Sequence, residues 1–296
     1  DLLARVQGAI QKRFGSPYKV ATFGSTRYGA TSAKSDMDLI ILARPWEAAG
    51  IRSSRQESIA KYAHHLYTLA RALRDGGFAK VKPIPAAVPI VKFQDPRTGI
   101  ECDINVNDQP GYWNTLLLQR YTKLSPHLRG LLLAIKRWAG PLGLNTPSPT
   151  KPGEKVTFSS YAFALMTVGF LQSRGLLPNL QENFGPTVKE HLFWNRKPQF
   201  LCDLRFNWTG TPMPGNNQIS TTELLADWFR FWVEFNPSRQ MVDIRLGGVV
   251  ARLPSETICV VDPFILVRNV ARNISGSVFD RFQEECRQAE AEVRKR

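Results

Sequence analysis

What this chain lacks narrows its class before any motif is considered. Its 296 residues hold only four cysteines, Cys102, Cys202, Cys259 and Cys286, widely scattered and without a Cys-x-x-Cys pair. That spacing speaks against a zinc site or a disulfide framework and predicts reduced, intracellular thiols. Long apolar runs are missing too. The longest uncharged one, Tyr161 to Leu171, falls short of the about 20 residues that span a bilayer, so no membrane partner is expected. No secretory leader is read at the start, and the expected compartment is the cytoplasm, with the nucleus as the alternative. Acidic residues are outnumbered, 25 against 39 lysines and arginines, for a formal net charge of +14. That excess suits a polyanionic partner, nucleic acid first; charge alone leaves a solvated basic surface as the other reading. Core-forming material is plentiful: 43% hydrophobic residues and seven tryptophans exclude a disordered chain, and the length predicts two domains.

The stretch from Phe23 to Leu42 organises the rest. Gly24-Ser25 follows the apolar, strand-like run Tyr18 to Phe23 and reads as a turn that offers backbone N–H groups and a hydroxyl to phosphates. Asp36 and Asp38, separated by Met37, lead into the apolar run Leu39 to Leu42. Side chains two apart on a strand share a face, which brings two carboxylates into one small volume. Like charges so close are costly unless a cation neutralises them, and such oxygen-rich sites suit Mg²⁺ held by carboxylates and substrate phosphates. For the Asp-x-Asp pair alone, an acidic turn capping a buried strand is the alternative.

Around this stretch, apolar spacing predicts helices over 1–14 and 53–73, the second stopped at Asp75-Gly76-Gly77. Strands are predicted over 88–93 and 100–107, with a turn from Asp95 to Gly99 between them. In the second strand Ile100, Cys102, Ile104 and Val106 face the core. Glu101, Asp103 and Asn105 share the polar side, which makes Asp103 a third strand-borne carboxylate. Hairpin-joined strands beside a long helix predict an α+β unit. Past Trp113-Asn114-Thr115 the pattern turns helical, over 127–138, from Ser159-Ser160-Tyr161 to Arg174, and over 278–293. Ser220 and Glu223 have capping-box spacing for a further helix from Thr221 to Phe235, and strands are predicted within 241–250.

Together these residues resemble a known family. Gly24-Ser25, Asp36-Met37-Asp38 and the strand-borne Asp103 match the nucleotidyltransferase signature of the DNA polymerase β superfamily. Tyr121-Thr122-Lys123-Leu124, Ile135-Lys136-Arg137-Trp138-Ala139, Ser159-Ser160-Tyr161 and Asp262-Pro263-Phe264 followed by Arg268-Asn269-Val270 narrow the match. In order and spacing they resemble the noncanonical poly(A) polymerases and terminal uridylyltransferases. The resemblance implies an α+β, two-domain enzyme: a palm-like catalytic domain with a small mixed sheet over 1–118, a mostly helical central domain over 119–296, and a nucleotide cleft between them. It implies template-independent addition of ribonucleotides to the 3′ end of single-stranded RNA by a monomer. Asp36, Asp38 and Asp103 would hold two Mg²⁺ ions, with Mn²⁺ as a substitute, and Asp103 would also help accept the attacking hydroxyl's proton. Gly24 and Ser25, with Lys136 and Ser160, would bind the triphosphate. Tyr161 would stack on the base, a contact worth about 1–3 kcal/mol. Asn107, Asp108, Asn114 and Thr115 would meet the ribose.

Departures from the family pattern bear on the choice of base. Arg268 stands where uridylyltransferases of this family typically have a histidine. Ile265 stands where a glutamate is common, Asp108 where an asparagine is, and Gly140 where a second phosphate-binding lysine is. A guanidinium only donates, which suits the N3 and O2 acceptors of cytosine and repels the uracil N3–H. Asp262 would accept from the cytosine amine. The expected preference is CTP, with UTP or ATP as weaker substrates, as in the fungal CutA-type enzymes; contact of Arg268 with RNA phosphate is the alternative.

Overall fold

The structure, a computed structural model, describes residues 1–16, 18–31, 36–43, 58–85, 88–106, 109–184, 190–192, 200–213, 219–253 and 257–295. The chain divides into two compact units, Asp1–Leu116 with Val188–Cys202, and Leu117–Thr187 with Asp203–Arg296.

The first unit opens with α1 (Leu2–Phe14), whose Leu2, Val6 and Ile10 recur at helical spacing and are buried, while Asp1 caps it by accepting the Leu3 N–H. There follow β1 (Tyr18–Thr22), α2 (Gly24–Tyr28), β2 (Met37–Ala43), α3 (Ser58–Asp75), β3 (Ala79–Ile84), β4 (Ile90–Gln94), β5 (Glu101–Val106) and α4 (Gln109–Leu124), which belongs to the second unit from Leu117 onward. The strands form one sheet in the order β1-β2-β5-β4-β3. In it β2 and β5 run parallel, and the other neighbours antiparallel. A small pair, β6 (Glu190–Leu192) and β7 (Phe200–Cys202), also belongs to this unit.

Alternation along the central strands sorts their side chains. Leu39, Ile41, Val91, Phe93, Cys102 and Ile104 join Val6 and Ile10 of α1 and Leu69 and Leu73 of α3 in one core. Fully burying each such side chain contributes about 1.5–3 kcal/mol, which fixes the register of the sheet. Period two then sends Asp38, Lys92 and Asp103 to the opposite face. That face also carries a small cluster of Ala21, Ile40 and Leu42, with Phe23 and Tyr112 of α4.

Three details differ from the sequence expectation. Gly24-Ser25 opens the short helix α2 instead of forming a simple turn. The strand β3 went unread because Lys80, Lys82 and Pro83 interrupt its pattern. It lies at the sheet edge, where a proline's missing N–H is tolerated. Asn105 is 6% exposed, so the polar side of β5 is open at Asp103 and closed two residues on.

The second unit holds α5 (Leu128–Ala139), α6 (Ser160–Ser173), α7 (Thr221–Glu234), the hairpin β8 (Gln240–Asp243) and β9 (Gly248–Ala251), and α8 (Gly276–Val293). Its core is aromatic. Trp138 meets Trp228 and Phe229 edge-on, and Phe282 packs against Trp138, Phe158 and Phe163. The Ser220/Glu223 capping box of α7 is formed in both directions. All four cysteines are free thiols, and no described helix is long and apolar enough to cross a membrane.

Candidate active site

Gly24 has φ 53°, and a Cβ on it would lie 2.7 Å from Asp38 Oδ2. Glycine alone tolerates both the left-handed backbone and the approach. The Gly24 N–H donates to Thr115 Oγ1 at 3.0 Å, and the Thr115 hydroxyl donates to the Gly111 carbonyl at 2.9 Å. That N–H is therefore not open to a phosphate, as the sequence reading supposed. Thr26 Oγ1 accepts the Asp38 N–H at 3.1 Å, and the Asp38 carbonyl accepts the Phe23 N–H at 2.9 Å, so the backbone of Asp38 is held at both ends. The buried Tyr28 phenol is pushed above its ordinary pKa by burial first and by the charge of Asp38 second. Ser25 is half-buried in α2, and its carbonyl accepts the Ala30 N–H at 3.0 Å.

Asp38 and Asp103 are register partners on the parallel pair β2–β5, and Asp103 and Lys92 are partners on β4–β5. Lys92 Nζ lies 2.8 and 2.7 Å from Asp103 Oδ1 and Oδ2, and 3.4 Å from Asp36 Oδ2. Burial lifts the Asp103 carboxyl above the usual range, Lys92 pulls it back, and the like charges of Asp36 and Glu101 push it up further. Burial also works against the charge on Lys92, but the bonds and charges of Asp103 and Asp36 outweigh it and raise the lysine. Both directions describe a site with more negative charge than one ammonium neutralises.

Among the described residues no three His, Cys, Asp or Glu side chains are gathered as a metal set. Lys92 is the cation that bridges Asp36 and Asp103 instead. The donors still suit a hard divalent ion in kind and in face, since carboxylate oxygens are what such ions take. An ion there would share them with Lys92. On α4, Asn114 is 7% exposed and its Oδ1 has no hydrogen-bond partner among the described residues. Asn107 and Asp108 lie outside the described residues.

In the second unit, Lys136 sits in the last turn of α5. The Ser160 hydroxyl donates to Asn145 Oδ1 at 3.0 Å, while Ser159 caps α6 by accepting the Ala162 N–H at 3.0 Å. Tyr161, Asp262 and Arg268 come together: Asp262 Oδ2 is 3.4 Å from Tyr161 Oη and 3.5 Å from Arg268 Nη1. Asp262 Oδ1 accepts the N–H groups of Phe264 and Ile265 at 3.0 and 2.9 Å. Burial pushes this carboxyl up despite those bonds. With 0% of its surface exposed, Asp262 presents no open acceptor to a base, contrary to the sequence expectation, and instead orients Tyr161 and Arg268. The loop that follows is strapped from three sides. Gln181 Nε2 and Arg245 Nη1 donate to the Pro263 carbonyl at 2.9 and 3.1 Å, and the Asp203 N–H donates to the Phe264 carbonyl at 3.0 Å.

Sequence reading missed Lys92, Thr26 and the Asp203–Arg245 strap. For Lys92 a signal existed, a lone cation between Val91 and Phe93 in an alternating strand. What it would face was not written locally.

The family described as poly(A) RNA polymerase, mitochondrial-like, central palm domain, matches residues 1–123. Poly(A) RNA polymerase GLD2-B of Xenopus laevis is 30% identical over 276 residues, which is 88% of this chain and 49% of that protein. The chain thus spans about half the length of the curated relatives it matches. The crystal structure of the Cid1 poly(U) polymerase with MgGTP bound superposes with TM-score 0.76 and 26% identity, over 100% of this chain and 87% of that one. Cid1 in complex with its short product ApU gives TM-score 0.75 and 25% identity, over 98% and 85%. The fold is that of these nucleotidyltransferases, mixed α+β around a five-stranded sheet.

Proposed function

Because the chain belongs to the family of noncanonical poly(A) polymerases and terminal uridylyltransferases, we propose that it adds ribonucleotides to the 3′ end of single-stranded RNA without a template, taking CTP in preference to other nucleotides. The observation that carries the reading is the register pairing of Asp38 with Asp103, with Asp36 reaching the same lysine as Asp103. Nucleotidyltransferases of this family use divalent metals, and two Mg²⁺ ions, or Mn²⁺ in their place, would supply a more acidic RNA 3′-hydroxyl and charge neutralisation on the triphosphate.

Asp36, Asp38 and Asp103 would hold those ions, and a carboxylate oxygen of Asp103 would take the hydroxyl proton. Gly24 keeps α2 close to Asp38, and Thr115 fixes Gly24. Ser25, Lys136 and Ser160 would contact phosphates. Asn114, with its unpartnered buried oxygen, would take a ribose hydroxyl together with Asn107 and Asp108. Tyr161 would stack on the base, and Arg268, steadied by Asp262, would donate to the cytosine edge.

The names of the curated relatives favour ATP as the second reading, and those of the solved neighbours UTP. A single experiment separates the three. A short labelled RNA is incubated with the protein, Mg²⁺ and each NTP in turn, and its length is read on a gel. Extension fastest with CTP is expected. Fastest extension with ATP or UTP replaces the preference, and none with any nucleotide removes the activity in favour of an RNA-binding relative.

A further inference from the structure

Lys92 has no part in the chemistry assigned above, yet it bonds two carboxylates of the site. It stands directly across from Asp103 on the antiparallel pair β4–β5. Its Nζ sits 2.8 and 2.7 Å from both Asp103 oxygens and 3.4 Å from Asp36 Oδ2. Its neighbours Val91 and Phe93 are fully buried in the core, so the strand cannot turn the lysine elsewhere without exposing them. The Lys92 side chain is 42% exposed, and that of Asp36 46%, so water and ions can reach the group.

Two consequences follow from charge and geometry. Without another cation, the ammonium is what keeps the Asp36 and Asp103 carboxylates from repelling each other. Both Asp103 oxygens also accept from it, so a divalent ion would have to share that carboxylate with an ammonium whose charge opposes its own. We propose that Lys92 is a built-in counterion: a positioning residue that gathers Asp36 and Asp103 in the absence of metal and competes with the incoming ion for Asp103. It thereby sets the concentration of divalent ion at which the site fills. The inference rests on the carboxylates being the metal ligands, and the test separates failure of one from failure of the other.

The full chain and its Lys92→Met, Lys92→Gln and Asp103→Asn variants are compared without nucleotide or RNA. Manganese binding is followed through the free-ion EPR signal, and the melting temperature is followed across a magnesium series. Lys92→Met is expected to bind Mn²⁺ about tenfold more tightly, the scale of removing one positive charge several ångströms from a divalent ion in a partly hydrated site. Its melting temperature falls in the absence of metal and recovers with Mg²⁺ more steeply than that of the parent, because a tighter ligand stabilises more at equal concentration. Lys92→Gln, which can still hydrogen-bond Asp103 but carries no charge, shifts Mn²⁺ binding in the same direction. That variant carries the test if Lys92→Met does not fold at any Mg²⁺ concentration. Equal or weaker Mn²⁺ binding in the lysine variants, with a melting-temperature loss that Mg²⁺ does not reverse, overturns the counterion and leaves Lys92 a structural residue. In that case Asp103→Asn still weakens Mn²⁺ binding. If Asp103→Asn leaves Mn²⁺ binding unchanged, the metal assignment falls and the counterion falls with it.

Discussion

Gly24 stands so close to Asp38 that a Cβ on it would lie 2.7 Å from the carboxylate oxygen Oδ2, at a backbone φ of 53°. Gly24→Ala must relieve both the contact and the left-handed strain, at about 1–3 kcal/mol. Either α2 or the Asp38 side chain moves. Nucleotidyl transfer is expected to drop by about tenfold or more, since ångström-scale misplacement of a reacting group is costly. The melting temperature should fall by only a few degrees. RNA extension rates beside a thermal melt check this; full activity in a stable variant would mean that the contact does not position Asp38.

Removing a carboxylate from the set removes chemistry rather than RNA affinity. Asp36→Ala or Asp38→Ala should abolish extension while RNA binding, measured by fluorescence anisotropy, stays within about twofold, because RNA affinity rests on phosphate contacts by Lys and Arg. Normal extension in either variant would take these aspartates out of the site.

Base choice is expected to follow Arg268. Its guanidinium leans on the buried Asp262 carboxylate at 3.5 Å. Arg268→His replaces a donor-only group with one that can also accept, and so accommodate the uracil N3–H. The ratio of CTP to UTP incorporation should fall by about tenfold, the scale of one hydrogen bond to a charged group. An unchanged ratio would show that Arg268 does not face the base.

Stability in acid should depend on Asp203. Burial alone would raise this carboxyl, but hydrogen bonds from Arg205 and Arg245 hold it below the ordinary value. A folded-state pKa below the unfolded one stabilises the protein above the unfolded value, about 3.9 for Asp, and that stabilisation is lost as pH falls through the folded value. Asp203→Asn should lower the melting temperature near neutrality, on the order of 2–3 kcal/mol for a partly exposed ion set. It should also flatten the melting-temperature loss below about pH 4. A parallel pH profile in the variant would exclude Asp203 as the group responsible. The Asp203 carboxylate also holds Arg245, which donates to the Pro263 carbonyl, so the same variant should loosen the loop that carries Arg268.

Much of this site was legible in the residues. The Gly-Ser and Asp-x-Asp pairs, the third aspartate and the helix landmarks are local patterns, and local patterns survive in one dimension. Helices from Leu128, Ser160, Thr221 and Gly276 were readable because apolar spacing and caps belong to single segments. Alternation likewise told which face Asp38 and Asp103 occupy. It could not tell which strands are neighbours, because pairing is decided by the burial of Leu39, Val91, Phe93, Cys102 and Ile104 in one core, a sum over distant segments. The parallel joining of β2 to β5 set Asp38 beside Asp103, and the antiparallel joining of β4 to β5 set Lys92 on both oxygens of Asp103. The same limit hid the fate of Asp262, which reads as a polar residue before a proline and lies fully buried in the fold. Residue chemistry and period belong to the chain itself, whereas adjacency and burial arise only when separate segments close one core.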